Sequence, residues 1–144
     1  MSIKQLSVFV ENKAGHLARI TAALEAAKIS IRGFSLADTA DFGIVRIIVD
    51  QPEAAMAALR GVGILARMND MICIELPDTP GALDEVFTAV GDAGLNVEYA
   101  YSLVSTYVVL KVADSVQAEA LLANAPVRLV NQEELSVPLS GGVN

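Results

Sequence analysis

One segment of this chain occurs twice. Glu11-Asn12-Lys13-Ala14-Gly15-His16-Leu17 aligns with Pro77-Asp78-Thr79-Pro80-Gly81-Ala82-Leu83, which sets Gly15 against Gly81 at a spacing of 66. The apolar positions that follow keep that phase. Leu17, Ile20, Leu24 and Ala27 fall on Leu83, Val86, Val90 and Ala93, and Ile29-Ser30-Ile31 falls on Leu95-Asn96-Val97. Beyond the next turn the spacing drops to 64, where Ile47-Ile48-Val49-Asp50 meets Lys111-Val112-Ala113-Asp114. That spacing predicts a turn two residues shorter in the second copy. A single matching Gly-x-Leu arises by chance; a whole phased apolar pattern signals a tandem duplication, and each copy must then be one structural unit.

Each copy parses into the same six elements. Leu6, Val8 and Val10 alternate with Gln5, Ser7 and Phe9, as a strand with one wetter face does. The 17, 20, 24, 27 spacing predicts a helix with one apolar stripe. Ile29–Leu36 and Ile44–Val49 read as strands, joined by the turn Asp38-Thr39-Ala40-Asp41-Phe42-Gly43. Pro52 suits the first turn of a helix over Glu53–Arg60, Gly61 its end, and Gly63–Met68 a fourth strand. The second copy predicts strand Met71–Leu76, helix Gly81–Asp92, strands Leu95–Leu103 and Tyr107–Ala113, helix Ser115–Ala123 and strand Val127–Asn131. The order β-α-β-β-α-β, twice, is an α+β ferredoxin-like arrangement with antiparallel sheets and helices on one face. The expected domains are residues 1–68 and 69–139, followed by a fraying tail at 140–144. We expect the copies to pair side by side about a pseudo-two-fold axis. Phe9, Arg46 and Ile48 make the sheet face away from the helices mixed in character, which favours association through edges or faces.

Composition excludes several classes. A chain of 144 residues holds one domain or two small ones, and 53% apolar against 19% charged content excludes intrinsic disorder. The net charge of −7 and pI near 4.5 argue against nucleic acid and anionic membrane as partners, both of which demand a basic face. The apolar runs Gly43–Val49 and Tyr107–Val112 are cut by Arg46 and Lys111 and fall far short of the roughly 18 residues of a membrane span. Met1–Phe9 lacks the pattern of a secretory signal. A single cysteine, Cys73, fits a reducing compartment, so a cytoplasmic protein is expected.

The corner between first strand and first helix is the best candidate for chemistry. Amides at a helix start lack internal partners and the helix dipole favours negative charge there, so the corner suits a small anion such as a carboxylate. Gly15 and Gly81 let the main chain approach a ligand closely. Asn12 donates and accepts, whereas Asp78 accepts only, which suits an ammonium group. The competing reading is that Asn12 and Asp78 only cap helices. His16 reads by default as a surface histidine, Asp38 and Asp41 as turn formers, and Tyr99, Tyr101 and Tyr107 as an exposed or interfacial sheet face. One histidine and one cysteine cannot close a zinc site with the usual N/S ligands, and Gly61-Val62-Gly63 lacks the Lys-Ser/Thr of a phosphate loop. No metal and no cofactor is expected.

Those corners, with Ala27-Lys28-Ile29-Ser30-Ile31 and Ala93-Gly94-Leu95-Asn96-Val97 after them, resemble the strand-turn-helix signature and helix exit of ACT domains, and nearly the whole chain resembles the small stand-alone tandem ACT proteins. In this chain Ala14 stands where that family commonly has Pro. The resemblance implies a regulatory protein that binds a small zwitterion, most often an amino acid, at the interface between paired ACT units. It implies ligand contacts from Asn12, Ala14, Gly15, His16 and Leu17 in the first corner and from Asp78, Pro80, Gly81, Ala82 and Leu83 in the second. At the starts of the second strands it adds Ser30, Ile31, Asn96 and Val97. In serine-responsive members an Asn in the corner and an Asn at the strand start hold the ligand; here those places carry Asn12 with Ser30, and Asp78 with Asn96. A homodimer and a separate regulated enzyme are the implied partners. The alternatives are a ligand-free oligomerisation module and, behind it, a small enzyme, for which no nucleophile-base motif is visible.

Overall fold

The computed structural model describes residues 2–11, 14–38, 42–103, 106–125 and 127–137. The chain divides into two compact units, Lys4–Asn69 and the stretch from Asp70 on, the latter with Ile3 at its margin.

The first unit comprises β1 (Ile3–Glu11), α1 (His16–Ala26), β2 (Ile31–Asp38), β3 (Phe42–Val49), α2 (Pro52–Gly61) and the opening residues of β4 (Ala66–Glu75). The strand order is β2-β3-β1-β4. Directly opposed residues of antiparallel strands share a face. Leu6 opposite Ile47 and Val8 opposite Val45 therefore build one apolar face. Ile20 and Leu24 of α1 and Ala55 and Leu59 of α2 close over it. Pro52 opens α2 as expected, with Glu53 in the first turn and Arg60 in the last, both of the sign the helix dipole favours.

The second unit repeats the plan with the rest of β4, α3 (Ala82–Asp92), β5 (Val97–Ser102), β6 (Tyr107–Val112), α4 (Ser115–Leu122) and β7 (Arg128–Val130). β4 lies between β6 and β7, and β5 pairs β6, all antiparallel. Its core joins Ile72 and Ile74 to Val86, Val90, Leu110, Val112, Ala118 and Leu122. The chain is thus α+β, with two ferredoxin-like units.

Three expectations are corrected. The strands expected at Gly63–Met68 and Met71–Leu76 are one strand, β4, that begins only at Ala66. Asn69-Asp70 does not break it: Ser7 Oγ donates to Asn69 Oδ1 at 3.0 Å, and Gln5 Nε2 donates to Ser7 Oγ at 3.3 Å, so Asn69 is bonded across the sheet on the face away from the helices. Second, the spacing beyond the β2–β3 turn is 63, not 64. Val45, Ile47, Val49, Ala55 and Leu59 occupy the places of Val108, Leu110, Val112, Ala118 and Leu122. A one-residue slip turns every side chain to the other face, and a spacing of 64 would put Lys111 where Ile47 packs. Third, β7 stops at Val130 and is followed by a helix that the sequence pattern does not predict, α5 (Gln132–Ser136). Asn131 caps α5 by accepting from Glu134 N–H at 2.9 Å, and Leu135 is fully buried. Arg128 donates to Glu134 at 2.8 and 2.9 Å and to Glu75 at 2.9 Å, tying β7, α5 and β4 together. The tail at 140–144 lies outside the described residues.

Both second strands, β2 and β5, carry an irregularity in the same place. The pairing shifts between Ile31 and Gly33 and again between Val97 and Tyr99, leaving Arg32 and Glu98 as the extra residues.

Candidate functional site

The two corners are built alike. β1 ends at Glu11 and α1 starts at His16, with Gly15 as N-cap at φ 89°, ψ −12°. Gly81 caps α3 at φ 88°, ψ −8°. Arg19 N–H donates to the Gly15 carbonyl and Glu85 N–H to the Gly81 carbonyl, each at 3.0 Å. Asn12, the polar side chain expected at the first corner, lies outside the described residues, as does Asp41.

The geometry revises why these positions are glycine. A Cβ at Gly15 or Gly81 would meet nothing within 4 Å, so crowding does not select glycine; the left-handed backbone does. Glycine at the N-cap gives α1 and α3 no side-chain cap of the kind Asp114 gives α4, where it accepts from Gln117 N–H at 3.0 Å; the first amide of α3, that of Ala82, donates instead to the Thr79 carbonyl at 3.3 Å. Asp78 stands three residues before the N-cap of α3 and is exposed, so it does not hold the capping position.

The corners differ in charge. The first turn of α3 contains Asp84 and Glu85, whereas that of α1 contains no acid. Acids in a first turn satisfy the dipole and repel an incoming anion. Ala14, Leu17, Pro80 and Leu83 are exposed, His16 is half-buried, and Ala82 turns into the core.

Ser30 and Asn96 are exposed at the strand starts, ahead of half-buried Ile31 and Val97. Ser30 N–H donates to Asp50 Oδ1 at 3.0 Å and Asp50 N–H donates back to the Ser30 carbonyl at 3.1 Å. Each strand start lines an open groove against the flank of the preceding helix. One, of about 710 Å³, includes Thr21, Glu25, Lys28 and Ser30. Its counterpart, of about 450 Å³, includes Phe87, Gly91, Asn96 and Ala100. Sequence reasoning misses the helix walls of these grooves; their signal is the i, i+4 pairs Thr21/Glu25 and Phe87/Gly91 on the exposed side of each helix.

Within either unit the structure does not bring corner and strand start together. They sit at opposite ends of a helix of 11 residues, which is about 16 Å long. A free amino acid is far shorter and cannot touch both features of one unit.

The remaining candidates play other parts. Cys73 is fully buried and its thiol is pushed up to about 12, chiefly by burial and next by the nearby Glu134 charge. The exposed carboxyl of Glu75 is held below its ordinary value by its hydrogen bond from Arg128. Tyr99 and Tyr101 are half-buried, with Tyr99 Oη reaching Met71 Sδ at 3.8 Å, but Tyr107 is buried in the core, so the exposed or interfacial face expected of the tyrosines does not extend to it. Among the described residues no three His, Cys, Asp or Glu side chains cluster as metal ligands, and no helix is long and apolar enough to cross a membrane.

A family model described as an ACT domain pair matches residues 1–137. This chain belongs to the ACT-domain-pair family. The two units are therefore ACT units. Protein BT0572 from Bacteroides thetaiotaomicron is 33% identical, with 96% of this chain and 98% of that one covered at a TM-score of 0.90. The regulatory subunit of aspartate kinase from Thermus thermophilus, in its ligand-free form, is 21% identical over 83% of this chain and 88% of its own, at a TM-score of 0.62. The corresponding Thermus flavus subunit is 20% identical over the same shares, at 0.60. At those identities the likeness to the two Thermus subunits is one of fold. None of the curated proteins matches.

Proposed function

We propose that this ACT pair is a regulatory protein that binds a free amino acid, with the ligand carboxylate on the first amides of α1, to which Gly15 gives no side-chain cap. The carrying observation is the first corner: a glycine N-cap with a left-handed backbone, no neighbour within 4 Å of where its Cβ would stand, and no acid in the first turn. The α3 corner has the same backbone but presents Asp84 and Glu85, so it is the poorer carboxylate site and, with Asp78, the better place for an ammonium group. The other end of the ligand is taken by the second-strand start of a neighbouring ACT unit, Ser30-Ile31 or Asn96-Val97, because one unit alone cannot span the two features. Binding that bridges two units favours their paired state, and in this reading that is how an amino-acid level reaches the enzyme it regulates.

Thermal unfolding against each of the twenty amino acids tests the proposal. A ligand present at about 100 times its Kd adds about 2.7 kcal/mol to native stability and raises Tm accordingly. If none of the twenty moves the transition, the sensor reading fails. The second reading, an interaction module that holds no ligand, then stands on the exposed apolar residues Phe34 and Leu36 of β2.

A further inference from the structure

The last strand of each unit leaves its sheet differently. Ala66 and Met68 pack on the first core as Val127 and Leu129 do on the second, so Arg67 answers to Arg128 and Asn69 to Val130. The rungs agree: Ser7 bonds Asn69 where Cys73 opposes Val130, and Phe9 opposes Ile44 where Glu75 opposes Tyr107. In the second unit the chain leaves β7 at Val130 and continues as α5. Arg128 ties Glu134 of α5 to Glu75 on the face away from α3 and α4, since Ile72 and Ile74 fill the face toward them. Cys73 of that face is fully buried, as is Leu135 of α5, and Tyr107 is 9% exposed. In the first unit the corresponding strand runs straight on as the rest of β4, so it supplies no such helix. The matching surface there is exposed: Phe9 by 43% and Phe42, two residues before Ile44 on the same face, by 57%. Arg67 is exposed too, and because Phe9 takes the place of Glu75, it has no acid where Arg128 has one.

We infer that this face of the first unit, formed by Phe9, Phe42, Ile44 and Arg67, is the seat for a short acidic amphipathic helix of another protein, held as α5 is held in the second unit. α5 itself gives the chemistry of the occupant. Its sequence Gln132-Glu133-Glu134-Leu135-Ser136 sets a leucine beside a glutamate, the leucine buried and the glutamate on an arginine. The first unit offers both complements: Arg67 for a carboxylate, and an apolar floor that Phe9 makes larger than its Glu75 counterpart does. Arg46, opposite Ser7, adds a second positive charge to this face where the second unit has Val109. A helix laid there is anchored by its apolar residues and selected by its charge, so a basic helix is rejected. A second copy is a poor occupant, because its α5 is already committed, with Leu135 fully buried. Amino-acid binding plays no part in this contact.

Heteronuclear NMR titration of the whole chain with an end-capped peptide copying Asn131–Val137 tests it. So short a peptide must be ordered on binding, so fast exchange with a Kd of about 1 mM is expected. The amide signals of Phe9, Phe42, Ile44 and Arg67 shift and saturate, and Leu135→Asp in the peptide abolishes the shifts. Arg67→Glu in the protein, at an exposed position, keeps the wild-type Tm but weakens the parent peptide by about fivefold. Glu134→Lys in the peptide restores affinity for that variant. The absence of saturable shifts overturns the inference. So does an Arg67→Glu chain that binds the parent peptide as the wild type does, or shifts confined to Cys73 and Tyr107, which indicate exchange with α5 in its own seat. Sedimentation velocity supplies a last arm. Phe42→Ser is expected to leave the wild-type particle size unchanged; a smaller particle means that a second copy covers this face, and overturns the inference.

Discussion

Placing an acid in the first turn of α1 separates helix stability from ligand affinity. Ala18 is exposed, is the third residue of α1, and stands where α3 has Asp84. In Ala18→Asp the new charge complements the helix dipole, a gain of about 0.3–1 kcal/mol, or about 1–3 °C in Tm for a chain of this size. The same charge opposes a carboxylate resting on the first amides. At a separation of about 6 Å the repulsion is about 0.7 kcal/mol in water-like surroundings and about 2.8 kcal/mol at an effective dielectric of about 20. Exposure and salt hold it near the lower figure, so about 1 kcal/mol, or about fivefold in Kd, is expected. Ala18→Asn, nearly the same in shape but uncharged, supplies the reference. Calorimetric titration with the amino acid that stabilises the wild type reads the affinity, and ligand-free unfolding reads the stability. A variant that is more stable and yet binds with the Asn variant's Kd would refute the placement of the carboxylate at α1.

Two further predictions address the fold. Gly81→Ala should cost about 1–2 kcal/mol through its left-handed backbone alone. Gly91→Ala, in right-handed helix with open space around it, should instead gain up to about 1 kcal/mol; urea midpoints of the two variants should move in opposite directions. Cys73, with its folded value near 12 against an ordinary 9.0, binds its proton more tightly folded than unfolded. Stability should therefore fall as pH rises from 9 toward 12, by up to about 1.4 kcal/mol per pH unit from this group. Alkaline urea titrations should show that slope disappear in Cys73→Ala.

The helices are legible in the sequence because Ile20 and Leu24, and Val86 and Val90, repeat at the helical period on faces that are buried. The spacing slip at β3 arises because Ile47, Ile48 and Val49 are all buried, on both faces of the sheet. A strand without alternation carries no phase, and only its pairing with β1 supplies one. Asn69-Asp70 reads as a break because turn-forming residues look alike whether they turn the chain or, as with Asn69 and Ser7, bond across a ladder. α5 is too short for any period to show. The corners are visible as glycines, but the positive φ that requires them is a property of the fold. The groove walls are legible only as i, i+4 pairs on the helices, since it takes tertiary packing to place Phe87 and Ala100 on one groove.

β4 has a last consequence. Asn69 closes one compact unit and Asp70 opens the next within an unbroken strand, so the duplicated segments are joined without a single spare residue. Cutting the gene between them would sever a strand instead of a tether: the first fragment would keep only Ala66–Asn69 of β4, while the second would keep Asp70–Glu75, with the residues that pair β6 and β7. Halving this protein is therefore surgery on its framework, and a study of the first ACT copy in isolation would have to restore the length of backbone that the cut removes.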